Sequence, residues 1–245
     1  MLFWFVQCVW MFSCAWRTAE VESMDNFHQL QQAMMLWKKG DTEQFDAFVR
    51  EQNNAVLFIA ASKTYVHRGR LEYSLDDLYR AKQFAIQCLS LQPNFMVIVN
   101  RNGGRLNKQA IDTLNQQDQS SVECVKWLGV SWALWLQQRG AMSASEDIPL
   151  VQYISHWVQQ TAYIDDWAWY GQGISTSLGA GYRSVDWQKV KVAFEQVRSM
   201  DSLAEFEYNY YYLRYVEPES YCQTHFSNIP SVYTEIWKDS LYTCP

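Results

Sequence analysis

The chain has 245 residues, of which 49% are hydrophobic and 19% charged, with 10 Gly and 5 Pro. That length can bury a full core in one large domain or two small ones, and the balance excludes a disordered or low-complexity chain. The net charge of −6 comes from dispersed acids and no basic stripe crosses a predicted helix, so binding to a nucleic-acid backbone has no electrostatic basis.

From Leu2 to Ser13 the sequence is almost wholly apolar, Cys14 follows directly, and the first basic residue is Arg17. The run is too short to span a bilayer, but its length fits the hydrophobic region of a secretory signal. Ser13 before Cys14 then predicts a bacterial lipoprotein signal, with Cys14 as the lipid-bearing first residue. No Lys or Arg precedes the run and Met11-Phe12 is bulky for such a lead-in, so an upstream start and an ordinary packed helix stay open as alternatives. Residues 1–22 read as signal and tether, and 23–245 as a single helical domain.

Phe27, Leu30, Ala33, Met34 and Trp37 form a helical stripe that ends at Lys38-Lys39-Gly40, a basic last turn with a glycine stop. A short helix from Thr42 to Arg50 precedes Asn53-Asn54, and the next runs from Ala55 toward Arg70. Ser74 with Asp77 caps the one after, whose face carries Ala81, Ala85, Cys88 and Leu89, with Pro93 behind it as a stop. Pro93 to Asn107 is expected to be irregular around the Asn102-Gly103-Gly104 turn. Ser120 and Glu123 read as a second capping box for a nearly all-apolar central helix, Val122 to Arg139, that Gly140 ends. Pro149 opens a helix to about Ala162, and further helices follow from Asp166, from Trp187, and from Leu203 to Val216. Glu219 to Asn228 and Ser231 to Tyr242 complete an all-helical reading, with Pro218 and Pro230 between them.

Two stretches read as aromatic-rich helix pairs of the kind that stack. In the first, Tyr65 and Gly69 lie four apart, allowing a close crossing onto the helix of the Tyr79 to Phe95 stretch; the unit resembles a tetratricopeptide repeat. In the second, Trp167, Tyr170, Gly171 and Ile174 face Trp187, Val190, Phe194 and Val197 across a connection holding Gly179 and Gly181. The fold class is all-α: tetratricopeptide-like hairpins packed as a solenoid or as a compact superhelical bundle.

Aromatics are abundant, with 12 Trp, 15 Tyr and 12 Phe, and large rings either fill cores or line pockets with one polar edge. Trp167, Trp169, Tyr170, Tyr210, Tyr211 and Arg214 are the candidate lining of a ligand surface. Tyr208, Tyr211, Tyr212 and Tyr215 share a face at helical spacing, whereas Tyr210 points elsewhere. Cys88 and Cys124 read as small core residues, while Cys222 and Cys244 could close a disulfide in an oxidising compartment.

No catalytic constellation emerges. His28, His67, His156 and His225 fall on different predicted helices and outside a His-Glu-x-x-His frame, and Cys222 with His225 has no second pair at ligand spacing. Asp165-Asp166 reads as a helix cap, and Gly171-x-Gly173 lacks the third glycine and the strand of a dinucleotide site. The expectation is a protein that is not an enzyme and carries no metal or cofactor.

With an apolar lead to a cysteine, degenerate helix pairs and a Tyr-rich late segment, the chain resembles the T-component (TatT) family of tripartite ATP-independent periplasmic (TRAP) transporters. The similarity runs, with gaps, from about Ala55 to Asn228: Tyr79-Arg80-Ala81 through Pro93, Trp127 to Trp135, Asp165-Asp166 to Gly173, Trp187 to Val197, and Tyr208 to Tyr215. It departs from the family pattern at Ser177-Leu178-Gly179-Ala180-Gly181, where a Pro and paired glycines are usual, and near Ala162-Tyr163, where a Pro is missing. The resemblance implies a distant member: a lipid-anchored periplasmic homotrimer that docks a solute-binding subunit and holds a hydrophobic small molecule in an apolar pore or cleft. The alternatives are a general tetratricopeptide adaptor for protein–protein interaction, whose basic clamps are missing here, and a helical enzyme with unrecognised residues.

Overall fold

A computed structural model of the chain describes residues 24–140, 145–180, 184–201, 203–217 and 220. Cys14, the residue 1–22 signal, Gly181, Cys222, His225 and Cys244 therefore lie outside the described residues, as do the helices expected beyond Pro218. The described residues are helical throughout with no strand among them. The helices are α1 (24–38), α2 (Thr42–Gln52), α3 (Ala55–Leu71), α4 (Leu75–Ser90), α5 (Pro93–Arg101), α6 (Lys108–Asp112), α7 (Gln119–Arg139), α8 (Ile148–Gln159), α9 (Asp166–Ser177), α10 (Trp187–Val197) and α11 (Ala204–Tyr208). A π-helical turn, Asn209–Leu213, carries α11 into a last short helix, α12 (Arg214–Val216).

Short polar residues start most of these helices. Asp41, Asn54, Ser74, Asn107, Asp118, Asp165 and Asp186 each accept a hydrogen bond from a backbone N–H in the first turn of α2, α3, α4, α6, α7, α9 and α10, donors with no partner inside the helix. The expected Ser120–Glu123 box is not what caps α7. Asp118 takes the Ser121 N–H at 3.0 Å, which leaves Glu123 inside the helix to accept from Lys126 at 2.6 Å and from the Trp127 indole at 3.1 Å. Pro93 is also more than a stop. It opens α5, because a proline at the first helical position gives up an N–H that the helix could not have bonded.

Three hairpins stack in chain order: α3 with α4, α7 with α8, and α9 with α10. The first helices form one row, since α7 packs against both α3 and α9, and each hairpin joins the next through α4 on α7 and α8 on α9. Helices α5 and α6 are inserted between the first two hairpins. Each hairpin closes the same way, with a glycine of its first helix against a large side chain of its second. A Cβ on Gly69 would come 2.8 Å from Leu78 Cγ, one on Gly129 3.0 Å from Ile154 Cγ2, and one on Gly173 2.9 Å from Phe194 Cε2. Gly171 does the same between hairpins, facing Val130 Cγ2 of α7 at 2.9 Å. Removing Cβ lets the axes approach, and the neighbour's bulk fills the space.

Cys88 of α4 and Cys124 of α7, expected as separate core residues, are joined as a disulfide with their Cα atoms 5.8 Å apart. Both project into the α4–α7 seam, and two cysteines meeting there can form a cross-link that neither one's local sequence announces.

Candidate functional site

The six side chains expected to line one surface are distributed over three environments. Tyr170 and Tyr211 are in the core, at 0% and 3% exposure, with Tyr211 stacked on Phe194 at 6.0 Å. Half-buried Trp167 meets His67 edge-on at 4.7 Å, Trp127 at 5.2 Å and Tyr170 at 5.4 Å, so it fills the α3–α7–α9 junction. Tyr210 accepts a hydrogen bond from Arg214 Nη1 at 3.0 Å and stacks on Phe206. Trp169 lines an open cleft. The tyrosine run departs from simple helical spacing because the π-helical turn inserts a residue into the register. Tyr208, Tyr211 and Tyr212 remain buried while Tyr215 is 41% exposed and stacks on Trp187.

Tyr170 belongs to a buried polar cluster that sequence reading missed. The Arg70 guanidinium, 1% exposed, gives Nε to the Tyr170 hydroxyl at 3.0 Å, Nη2 to Asp201 Oδ1 at 3.0 Å, and Nε to both Glu207 oxygens at 3.1 Å. Tyr170 in turn donates to Glu207 Oε1 at 2.7 Å. Burial raises the Glu207 carboxyl, against the pull of Arg70. Burial also works to raise Asp201, but hydrogen bonds and charge from Arg70 win and hold it below the usual carboxylate range. Arg70 itself is held well above its ordinary value: burial opposes its charge, and Glu207, Tyr170 and Asp201 outweigh that. With its groups engaged inside the protein, the cluster ties α3 to α9 and α11. A signal was present in the first segment, since Arg70 stands four residues after Val66, a charge in register with an apolar face, whereas the π-helical turn at Asn209–Leu213 shifts the register between Glu207 and Tyr211.

The cleft lies where the second and third hairpins meet and has a volume of about 610 Å³, within the range of small-molecule sites. Helix α8 contributes Gln152, His156 and Gln159, and α9 contributes Trp169, Gln172 and Thr176, each at helical spacing on one face. Gln152 Nε2 donates to Ser175 O at 3.2 Å and Gln159 Nε2 to Ala168 O at 3.1 Å. A carbonyl partner fixes which end of each amide is the donor, and the Oε1 atoms accept nothing among the described residues. Gln172 Nε2 is similarly engaged with Thr176 Oγ1 at 2.6 Å. At the α10 side, Asp186 and Lys189 are paired at 3.2 Å, and Asp186 is held below its ordinary value by the Lys189 backbone N–H and ammonium. Trp169 and Val192 supply the carbon surface.

Among the described residues no group of three His, Cys, Asp or Glu side chains could hold a metal ion, and no helix is long and apolar enough to cross a membrane. An apolar hollow of about 120 Å³ between α1, α2 and α3, bordered by Leu30, Met34, Trp37, Phe45 and Leu57, falls well short of a drug-sized ligand. Of the six residues expected to line a cleft, Trp169 thus lies in this one, whose lining mixes amide and hydroxyl side chains with carbon surface. Comparison with known proteins adds no name to this geometry: the chain matches no protein-family model, no curated protein and no solved structure.

Proposed function

We propose that the chain is a non-enzymatic helical scaffold acting outside the cytoplasm, as an accessory subunit of a TRAP transporter that holds a ligand in the α8–α9–α10 cleft and docks a solute-binding protein. The observation that carries the binding role is the cleft itself: an open volume of about 610 Å³ at a hairpin junction, with Gln152 and Gln159 fixed in place while their acceptor oxygens stay available. Side chains held by their own scaffold lose little freedom when a ligand arrives.

The Cys88–Cys124 bond supports the compartment, because structural disulfides persist in oxidising environments and rarely in a bacterial cytosol. Stacked hairpins support a docking role, since such arrays present extended surfaces to partners. The lipid anchor at Cys14 rests on the apolar run before it and on the family resemblance, and the homotrimer and the solute-binding partner rest on the resemblance alone. A general adaptor that clamps acidic peptide ends is disfavoured by the pairing of Lys189 with Asp186, which leaves the cleft without an uncommitted cation from that pair.

The test is to express the full chain in a Gram-negative host and combine membrane fractionation, intact mass and thiol alkylation. The expected result is a membrane-associated product lipidated at Cys14, with Cys88 and Cys124 protected from alkylation until reduction. An unprocessed soluble product with both thiols free would overturn the transport reading and leave the cytosolic adaptor.

A further inference from the structure

The cleft also specifies the chemistry of its occupant, on the reading that it is the ligand site. Its polar wall offers donors and acceptors together. Gln152 and Gln159 each give one amide N–H to the scaffold, to Ser175 O and Ala168 O, and Gln172 gives one to Thr176 Oγ1, so each amide is held in place and keeps its second N–H and its carbonyl oxygen. A wall that both donates and accepts is satisfied by hydroxyl groups, which do the same. Charge narrows the choice. Among the described residues of the lining, Asp186 and Lys189 neutralise each other at 3.2 Å, which favours a ligand without net charge. Trp169 adds a half-buried ring beside these amides, a flat apolar face for a ring that carries its polar groups around its rim.

We infer that the cleft binds a neutral, hydroxyl-rich chain, an oligosaccharide, with one sugar ring stacked on Trp169 and its hydroxyls hydrogen-bonded to the amides of Gln152 and Gln159. The cleft is open rather than enclosed, so it fits a segment of a chain.

The test titrates the full chain with maltohexaose, cellohexaose and chitohexaose, following heat and the side-chain amide NMR signals of glutamine. Spermidine, an uncharged hexapeptide and the apolar dye anilinonaphthalene sulfonate serve as competing classes. The expected result is that at least one hexasaccharide binds and shifts the Gln152 and Gln159 amides, with affinity unchanged between low and high salt. Trp169→Ala should weaken it about tenfold, Trp169→Phe should restore most of that, and Gln159→Leu should weaken it without loss of fold. Failure of all three sugars, or binding indifferent to Trp169→Ala, overturns the inference. If the peptide, amine or dye shifts the same amides instead, the sugar class is overturned while the cleft stands as a ligand site. If no probe perturbs those amides, both fall.

Discussion

The Arg70 cluster and the α8–α9–α10 cleft are made of the same kinds of group, an acid beside a base, amide or hydroxyl neighbours and a tryptophan, and they differ in where their hydrogen bonds go. Arg70 commits all three guanidinium nitrogens to Tyr170, Asp201 and Glu207, in a space where it and Glu207 are almost wholly buried. In the cleft, Asp186 and Lys189 are exposed, and the glutamines each spend one N–H on the scaffold and keep the other with the carbonyl oxygen. Polar chemistry that is fully spent inside a protein is structure; polar chemistry that is half spent at a surface is a capacity to bind. The contrast separates the residues whose loss should unfold the chain from those whose loss should silence it.

The largest effect is expected in the cluster. Glu207→Ala leaves the buried Arg70 charge without its main partner and should cost about 3–5 kcal/mol in urea unfolding. The double change Arg70→Met with Glu207→Leu removes both charges and should recover most of that loss, since a buried ion pair replaced by apolar groups of similar volume is often close to neutral. A loss under about 1 kcal/mol for Glu207→Ala would break the comparison, because the cluster would then be no more structural than a surface pair.

How far these regions were readable follows from how local their signals are. Caps were read well where the acid or hydroxyl sits directly before its helix, as at Ser74 and Asp165, because the bond closes within three residues. Gly69 was legible as a crossing from its spacing after Tyr65, yet the rule that unites it with Gly129 and Gly173 appears only when the facing residues Leu78, Ile154 and Phe194 are known. The α7 start was misplaced because Ser120 and Glu123 fit a capping pattern as well as Asp118 does, and local sequence does not rank them. Arg70 and Glu207 lie 137 residues apart, and Cys88 and Cys124 are 36 apart on separate helices; nothing in either segment names its partner. The cleft was illegible for a further reason. Its glutamines are ordinary surface residues by type, and only the geometry of α8 against α9 shows that each is anchored through one N–H. Trp169 was found because its size draws notice, and Tyr170 was grouped with it although adjacent positions on a helix face different ways.

Helix α9 allows the comparison to be sharpened within two residues. Gly173→Ala puts a Cβ against the Phe194 ring at the hairpin crossing, and should cost about 1–3 kcal/mol through overpacking. Gln172→Ala, next in the chain but on the cleft side, should change stability by no more than about 0.5 kcal/mol. Chemical denaturation of both variants measures the difference directly. If the order were reversed, the cleft side of α9 would be carrying the fold.

The smallest expected effect is a pH dependence at the edge of the cluster. His67 lies against Trp167, and its ring is held below the ordinary histidine value first by burial and then by Lys63 and Arg70, with Asp201 pulling the other way. Between the lowered folded value and the unfolded value of about 6.5, the unfolded chain binds more protons than the folded one. Stability should therefore rise with pH through that window, be fully present above it, and be lost as pH falls through the folded value. His67→Gln removes the titration and should flatten this part of the curve, which thermal melts at mildly acidic and neutral pH would measure. The ring is half-buried, so solvent screens the effect and the slope should be shallow. A slope unchanged in His67→Gln would assign the pH dependence to another group.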